Sequence, residues 1–376
     1  MRRPARLERL PEQYFTRLLG RVAAAAAEEG EEVVDLGRGN PDVPPPAHVV
    51  EALAAAARDP AAHGYPPFRG LPELREAVAA RYRTVYGVEL DPEREVAVLP
   101  GTKTAIVELA LCLAERGQTI LLPDPGYPDY TSGVALAGAR EGRVVLDPES
   151  GFAPDLAATP GEDIAALYLN YPSNPCAAAA PAGVFAEMVA YAGRTGAALV
   201  HDFAYGDLVF DGRRPQSFLA TAGAKEVGVE MFSMSKSYGM AGWRLGFVAG
   251  NAEIVARLDL LQDHARAGVF MPIQHAAIAA LSGPQETVAE RRALYEARRD
   301  RVLAALPGAR CEGTFFVWWP LPDGVTPELL LAEHRVAVAP GEGFGPSGYG
   351  WARISLATAD ERLDAGLERL RAALSL

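Results

Sequence analysis

Seven short apolar segments, rich in β-branched residues, recur through the middle of the chain, and helical stretches separate several of them. The segments are residues 95–99, 119–122, 142–146, 164–169, 198–202, 229–233 and 245–249, with helical patterns at 104–115 and 182–195 between some of them. Most are nearly continuous apolar runs, which is typical of strands buried on both faces of a sheet. The alternation predicts an α/β fold with a doubly wound, seven-stranded and mostly parallel sheet that has helices on both faces.

The two ends of the chain predict a second, smaller domain. A long helix rich in Glu and Arg is expected at 285–306, and Pro307-Gly308 marks its end. Apolar segments at 314–319, 336–339 and 352–356 follow, separated by helical and turn segments, which indicates an α+β unit. We expect the N-terminal segment to pack with this unit. The predicted boundaries are 47–284 for the large domain, and 1–46 with 285–376 for a discontinuous small domain.

The composition excludes several classes of function. The 376 residues carry 36 basic and 48 acidic side chains, and a net charge of −12 disfavours nucleic acid or an anionic membrane as a partner. No apolar run reaches the ~20 residues that a membrane span needs, and we expect no signal peptide. The cysteines Cys112, Cys176 and Cys311 are far apart and lack metal-ligand spacing. We therefore expect reduced thiols, a cytoplasmic protein and no metal site.

The segment from Ser233 to Arg244 carries the most specific chemical pattern in the chain. Ser233 and Ser235 lie three residues and one residue before Lys236, and Arg244 follows it eight residues later. A lysine that forms an imine next to a phosphate needs this arrangement, because serine hydroxyls donate to phosphate oxygens and a guanidinium grips them with a planar fork. The alternative interpretation is a glycine-rich surface loop with a solvated lysine.

Two segments that follow predicted strands fit a phosphate and a flat ring. Gly101, Thr102 and Lys103 open a predicted helix, whose N–H groups and dipole favour an anion. Thr102 could instead be a simple N-cap. Tyr127 lies in a proline-containing loop at 124–130 and could stack on a cofactor ring, or be a buried residue of a rigid turn.

Two further strand ends supply polar side chains. Asn174, between prolines, is placed to donate its amide to a phenolate oxygen, although an Asx-turn would explain it equally well. Asp202 ends an apolar strand, where a carboxylate needs a cation partner. A protonated pyridine nitrogen is such a partner, and a nearby arginine is the alternative. Because ligands bind at the carboxyl ends of strands in open α/β sheets, these side chains are expected to meet.

In this order and placement, the segments resemble the class I/II aminotransferases, which are fold-type-I enzymes that use pyridoxal 5′-phosphate (PLP), over essentially the whole chain. The resemblance implies that Lys236 holds PLP as an imine and that Asp202 pairs with its pyridine nitrogen. It also implies that Tyr205 and Asn174 bond the phenolic oxygen and that Tyr127 stacks on the ring. The residues expected to hold the phosphate are Gly101, Thr102, Lys103, Ser233, Ser235 and Arg244.

The resemblance extends to the substrate and to a partner subunit. Tyr65 lies in a segment similar to the loop that a second subunit lends to the phosphate, which implies a homodimer with shared active sites. Arg353 resembles the arginine that binds the substrate α-carboxylate, and a bidentate fork suits that group. The expected substrate contacts are Gly39, Asn174, Arg353 and Tyr14. One departure is that Cys176-Ala177 follows the Asn-Pro pair, where the family usually has Thr-Gly.

The implied activity is transfer of an amino group from an L-amino acid to a 2-oxo acid, such as 2-oxoglutarate, by a ping-pong mechanism in which Lys236 moves the α-proton. The closest resemblance favours an N-succinyl- or LL-diaminopimelate aminotransferase, and Arg69 could bind a distal carboxylate. The alternatives are a methionine-salvage or broad-specificity aminotransferase, for which Tyr14 and Phe15 could form an apolar lid, and a PLP-dependent C–S lyase. Formation of pyruvate and ammonia without an amino acceptor would indicate the lyase.

Overall fold

The computed structural model describes residues 4–28, 30 and 32–374, so residues 1–3, 29, 31, 375 and 376 of the predicted small domain lie outside the described residues. The strands are numbered in chain order: β1 (Val34–Asp35), β2 (Val96–Leu99), β3 (Thr119–Asp124), β4 (Arg140–Asp147), β5 (Ala153–Pro154), β6 (Ile164–Asn170), β7 (Ala198–Asp202), β8 (Gly228–Ser233), β9 (Gly246–Gly250), β10 (Phe316–Pro320), β11 (Val336–Ala337), β12 (Ala339–Pro340) and β13 (Trp351–Ser355).

The α-helices are numbered in the same way: α1 (Ala5–Glu8), α2 (Tyr14–Ala26), α3 (Ala47–Arg58), α4 (Pro72–Arg81), α5 (Thr102–Leu113), α6 (Tyr130–Ala137), α7 (Val184–Thr195), α8 (Ala224–Val227), α9 (Met234–Ser237), α10 (Ala252–Ala265), α11 (Met271–Ser282), α12 (Glu286–Ala305), α13 (Pro327–His334) and α14 (Asp360–Leu374). The long helix predicted at 285–306 is α12, whereas α5 and α7 begin within two residues of their predicted starts. Within the described range, no helix is both long and apolar enough to cross a membrane.

The large sheet has the strand order β2-β9-β8-β7-β6-β3-β4-β5. The neighbours from β8 through β7, β6 and β3 to β4 are parallel, while β9 runs antiparallel to both β2 and β8. All seven predicted strands are present, and the fold class is confirmed as a mostly parallel α/β sheet. The two-residue strand β5 adds an eighth member, antiparallel to β4 at the edge.

Both faces of the large sheet are covered, which explains the continuous apolar runs. Consecutive strand residues point to opposite faces. In β2, Ala97 and Leu99 pack in one core cluster with residues of α5, α6 and α10, whereas Val96 and Val98 pack in another with residues of α4, α7 and α11. The sheet is therefore a buried layer between two helical layers, and its carboxyl edge is where polar side chains can gather.

Two smaller sheets lie outside the large one. The antiparallel sheet β10-β13-β12 and the parallel pair β1-β11 account for the three apolar segments expected after α12. The segment predicted as one strand at 336–339 is two strands, β11 and β12, which join different sheets. Because β1 from the N-terminal part pairs with β11, the two ends of the chain contact each other. The division into domains at 46/47 and 284/285 stays a prediction.

Candidate active site

Lys236 lies in α9, the short helix that follows the central strand β8, and its amine is buried. Its Nζ atom is 5.6 Å from the ring centroid of Tyr205 and 5.2 Å from that of Phe315. Burial, together with the positive charges of Arg353 and Arg244, lowers the pKa of Lys236 to about 8, against the opposing effect of Asp202. An amine in this state can act as a nucleophile and a base near neutral pH. A solvated loop lysine is therefore not what the structure shows.

The Lys236 side chain lines a cavity of about 310 Å³ at the carboxyl edge of the large sheet. Twelve of the residues predicted for the site line this cavity: Gly39, Thr102, Lys103, Tyr127, Asn174, Asp202, Tyr205, Ser233, Ser235, Lys236, Arg244 and Arg353. They come from seven separate parts of the chain, and those that follow strands of the large sheet meet because the strand ends share one edge.

Asp202, the last residue of β7, is a buried carboxylate held by two donors. The Tyr130 hydroxyl donates to Oδ2 at 2.8 Å and the Ala204 amide donates to Oδ1 at 3.0 Å. Burial raises the pKa of Asp202, whereas these two hydrogen bonds and the charges of His201 and Lys236 lower it. Its hydrogen-bond partners among the described residues thus include no arginine, in contrast to the alternative considered from the sequence. The carboxylate faces the cavity and could accept a cationic ring nitrogen.

The N-terminus of α5 forms one wall of the cavity and lacks a side-chain cap. Gly101, not Thr102, is the N-cap residue, and among the residues that the structure describes no side chain caps this helix start. Gly101 has φ +86°, and an added Cβ would lie 2.6 Å from Nη2 of Arg244. The glycine therefore allows the guanidinium to lie against the helix start. Free N–H groups, a helix dipole and an arginine together form a site for a phosphate-like dianion.

Two serines complete this anionic end of the cavity. The Ser233 hydroxyl oxygen accepts a hydrogen bond from the Ser235 amide at 3.3 Å, so the hydroxyl hydrogen of Ser233 can still be donated to a ligand. Both serines line the cavity beside Arg244. This donor set fits the phosphate of PLP, while Asp202 and Lys236 fit the ring nitrogen and the aldehyde carbon.

Arg353, in β13, is 1% exposed and forms the opposite end of the cavity. Its Nη1 donates to Oδ1 of Asn174 at 2.8 Å and its Nη2 donates to the Gly37 carbonyl at 3.1 Å. The guanidinium carbon lies 3.8 Å from the ring centroid of Phe316 and 4.8 Å from that of Phe344. Nε is buried and has no hydrogen-bond partner in the described part of the chain, and burial lowers the pKa of Arg353 to about 10. A carboxylate is the ligand that would satisfy this group.

A residue larger than glycine does not fit at position 39, because an added Cβ would lie 2.6 Å from the Phe316 ring that contacts Arg353. Both residues line the cavity. The backbone can therefore approach the carboxylate end closely, and the interpretation of Gly39 as a mere turn signal leaves this contact unexplained.

Comparison with known proteins identifies the family. Residues 31–370 match the aminotransferase class I and II family. The chain belongs to the class I and II aminotransferases. Enzymes of this family depend on PLP, and the prediction of a transaminase is confirmed. The chain is also similar to individual members of the family.

Three relatives show how close the similarity is. The chain is 46% identical to L-glutamine–4-(methylsulfanyl)-2-oxobutanoate aminotransferase of Bacillus subtilis, over 97% of this chain and 94% of that protein. It is 41% identical to LL-diaminopimelate aminotransferase of Moorella thermoacetica, over 100% and 99%. The solved structure of substrate-bound BacF from Bacillus subtilis superimposes with a TM-score of 0.94 at 37% identity, covering 99% of this chain and 98% of that one.

Tyr14 of this aminotransferase does not contact the cavity, which corrects the prediction of a substrate contact. Its ring packs against Phe344, and its hydroxyl donates to the Pro340 carbonyl at 2.8 Å. Neighbouring helix residues point about 100° apart, so Tyr14 faces the core while Phe15 faces the cavity. Tyr14 therefore packs with Leu18 and Phe344 in a core cluster that also contains residues of the large sheet.

Three other residues lie apart from the cavity lining. Gly101 supports Arg244 from behind. Tyr65 is 88% exposed, so a contact with phosphate would require a second subunit. The Arg69 guanidinium is bound to the Asp259 carboxylate at 2.5 Å and to the Glu93 carbonyl at 2.7 Å. Arg69 is therefore not available to a distal carboxylate of a substrate.

Some residues of the aminotransferase site were not anticipated. Leu18 and Leu19 line the cavity beside Phe15, and the spacing of three and four residues in a helix could have indicated this. Tyr130 holds Asp202, and its place three residues after Tyr127 was the available signal. Arg38 also lines the cavity, and nothing in its sequence context distinguishes it from other surface arginines.

The cysteines offer no chemistry to the site. Cys176 is fully buried, and burial raises the pKa of its thiol. It is therefore a small packing residue rather than a reactive thiol. Within the described ranges, no group of three or more His, Cys, Asp or Glu side chains is arranged to hold a metal ion.

Proposed function

We propose that this aminotransferase binds PLP covalently at Lys236, with the phosphate at the α5 N-terminus and the ring between Tyr127 and the β7 end. The observation that carries the proposal is the buried amine of Lys236, which lies in one cavity with an anion-binding helix start and the carboxylate of Asp202. Bound PLP supplies an electron-withdrawing ring that accepts the electron pair of a substrate Cα–H bond.

Each protein residue of the site would then have a separate role in the reaction. Arg353 grips the substrate α-carboxylate, and the Asn174 side chain holds that guanidinium in place. Asp202 keeps the proton on the ring nitrogen, assisted by the Tyr130 hydroxyl. Once the substrate amine has taken its place on PLP, the Lys236 amine would remove the Cα proton and return it to the aldehyde carbon of PLP, which a pKa of about 8 permits near neutral pH.

The wall facing the substrate side chain favours an apolar group. Phe15, Leu18, Leu19 and Ile106 line this cavity, and Arg69 is bound elsewhere. We therefore infer that the substrate carries an unbranched apolar side chain, as in 4-(methylsulfanyl)-2-oxobutanoate, with glutamine as the donor. The relative that acts on these compounds is 46% identical to this chain.

Diaminopimelate is the second candidate, and it is the one favoured from the sequence. The observation in its favour is Arg38, an exposed cation on the cavity wall that could hold a distal carboxylate. Relatives 36–43% identical carry the name LL-diaminopimelate aminotransferase. The two candidates therefore differ in whether the apolar wall or the Arg38 guanidinium decides which substrate side chain is recognised.

The functional unit is proposed to be a homodimer. The segment that contains Tyr65 lies against 268–270, where an added Cβ on Gly268 would come within 2.8 Å of Pro66. Tyr65, Phe68 and Phe270 leave 88%, 42% and 47% of their surfaces exposed. A second copy would cover these rings and bring the Tyr65 hydroxyl to the phosphate site of its neighbour.

A panel of donors and acceptors tests the substrate. Glutamine, methionine, LL-diaminopimelate, aspartate and an aromatic amino acid are each paired with 2-oxoglutarate and with 4-(methylsulfanyl)-2-oxobutanoate. We expect kcat/KM to be highest for glutamine with the methylsulfanyl acceptor, and Lys236→Ala to be inactive. Preference for LL-diaminopimelate that is lost in Arg38→Met would support the second candidate. Release of pyruvate and ammonia from cystathionine without an acceptor would indicate a lyase.

A further inference from the structure

The segments that carry Tyr205 and Lys236 leave the large sheet side by side. Strands β7 and β8 are paired up to Asp202 and Met231, and the Phe203 amide donates to the Met231 carbonyl at 2.9 Å. Beyond these residues the two segments diverge from the strand ladder. Something other than sheet hydrogen bonds must therefore set the position of Lys236 relative to Tyr205.

A buried arginine joins the two segments. Arg81, at the end of α4, contacts Oδ1 of Asp207 at 2.5 Å and donates to the Tyr238 hydroxyl at 2.9 Å. Asp207 lies two residues after Tyr205, and Tyr238 lies two residues after Lys236. One guanidinium thus bridges the two segments that carry the reactive side chains.

The surroundings leave this arginine little freedom. Its side chain is 4% exposed and that of Asp207 is 7% exposed. The guanidinium carbon lies 5.2 Å from the ring centroid of Phe232 and 5.8 Å from that of Tyr238. A planar guanidinium that lies near two aromatic rings and is hydrogen-bonded through both terminal nitrogens is held in one orientation.

The same cluster reaches the start of α12. The Tyr238 hydroxyl donates to Oε1 of Gln285 at 2.8 Å, and Nε2 of Gln285 donates to the carbonyls of Ala280 and Gly283 at 2.9 and 2.8 Å. The cluster therefore fastens the lysine segment to the turn between α11 and α12 as well as to α4.

We propose that Arg81, paired with Asp207, is a positioning residue for the transamination site, because it holds the Lys236 segment and the Tyr205 segment at a fixed separation. This rests on the proposed function, in which the Tyr205 hydroxyl bonds the phenolic oxygen of PLP held by Lys236. Loss of that bond leaves the phenolate less stabilised, so the proton on the lysine–PLP nitrogen is held more tightly.

The test must separate positioning from stability, since either single substitution leaves a buried charge unpaired. Arg81→Met and Asp207→Asn are compared with the double variant, which removes both charges. Arg83→Met is the matched control, because Arg83 pairs with Glu89 on the surface near the same helix. Each holoenzyme is measured for its unfolding temperature, for kcat and KM, and for the pH midpoint of the visible absorbance band of lysine-bound PLP.

We expect the double variant to unfold closer to the wild-type temperature than either single variant. Its absorbance midpoint should nevertheless lie at higher pH than in the wild type. Its kcat should fall about tenfold or more with KM little changed, because small displacements of reacting groups slow chemistry strongly. Arg83→Met should match the wild type in all of these quantities.

A folded double variant with the wild-type midpoint and kcat would overturn the proposal. If the double variant fails to fold, Tyr238→Phe decides, since it removes only one hydroxyl: a midpoint at higher pH supports the positioning role, and an unchanged midpoint contradicts it. A wild-type protein that shows no visible band with PLP would overturn the proposed function itself, and with it the positioning role of Arg81.

Discussion

The chemical state of Lys236 decides what the site can do at neutral pH. Burial, together with the charges of Arg353 and Arg244, places its pKa at about 8. Below that pH the amine is protonated and unreactive, and above it the amine is a nucleophile. We predict that acetylation of Lys236 by acetic anhydride in the cofactor-free protein rises with pH around a midpoint near 8, as measured by mass spectrometry of the digested peptides.

The chain contains only three lysines, which makes this measurement specific. Lys103 and Lys225 are paired with Asp129 and Glu95, each at 2.8 Å, and their labelling is read from the same digest. Lys236→Ala identifies the peptide signal. A midpoint for Lys236 close to 10.5, the ordinary pKa of a lysine, would contradict the effect of burial and of the nearby arginines on this amine.

Single residues were predictable from the sequence where a strong physical constraint acts on them. Asp202 and Lys236 follow buried strands, and a charged group there is either partnered or functional. Tyr14 was misplaced because one residue along a helix changes the direction of a side chain by about 100°. For Arg69 the sequence left a substrate contact open, because its partner Asp259 is 190 residues away, a contact that no local pattern reveals.

At the level of elements, the join between β2 and α5 depends on Gly101. Any other residue must adopt φ +86°, and its Cβ would press on Arg244 at 2.6 Å. We predict that Gly101→Ala destabilises the protein by about 1–3 kcal/mol through backbone strain. It should also weaken PLP binding about tenfold or more, because the guanidinium moves away from the helix start. Thermal unfolding and fluorescence titration with PLP measure the two effects.

Gly117→Ala is the matched control for this prediction. Gly117 has φ +89°, but nothing lies within 4 Å of an added Cβ. The control should therefore lose similar stability while PLP affinity stays at the wild-type value. Equal affinity losses in both variants would show that Gly101 acts through strain alone and not through Arg244.

The elements that the sequence predicted well are those whose burial is continuous. Strands β2, β6, β7, β8 and β9 are buried along nearly their whole length, which matches their continuous apolar runs, whereas β4 alternates exposed with buried residues. The short strands β5, β11 and β12 have two residues each. Their identity depends on a partner far along the chain, such as β1 for β11, and two residues carry no periodic signal.

For the whole molecule, the proposed homodimer would give the exposed Tyr65 a role in the site of a second chain. In the single chain, the Tyr65 side chain is 88% exposed and does not line the cavity. If a second copy uses this hydroxyl to bind the phosphate, Tyr65→Phe should lower PLP affinity about tenfold or more, the usual effect of losing a hydrogen bond to a charged group. Tyr349→Phe, at a tyrosine that is 83% exposed, is the control and should not change it.

Mixed dimers show which subunit supplies the hydroxyl. Lys236→Ala and Tyr65→Phe chains with different tags are co-expressed, and the hybrid is purified through both tags. If Tyr65 serves the partner, one site of the hybrid combines the intact Lys236 of one chain with the intact Tyr65 of the other. That hybrid should have about half the wild-type activity at limiting PLP, since one of its two sites is intact. If Tyr65 serves its own chain, no intact site forms, and activity falls below that of the Tyr65→Phe homodimer.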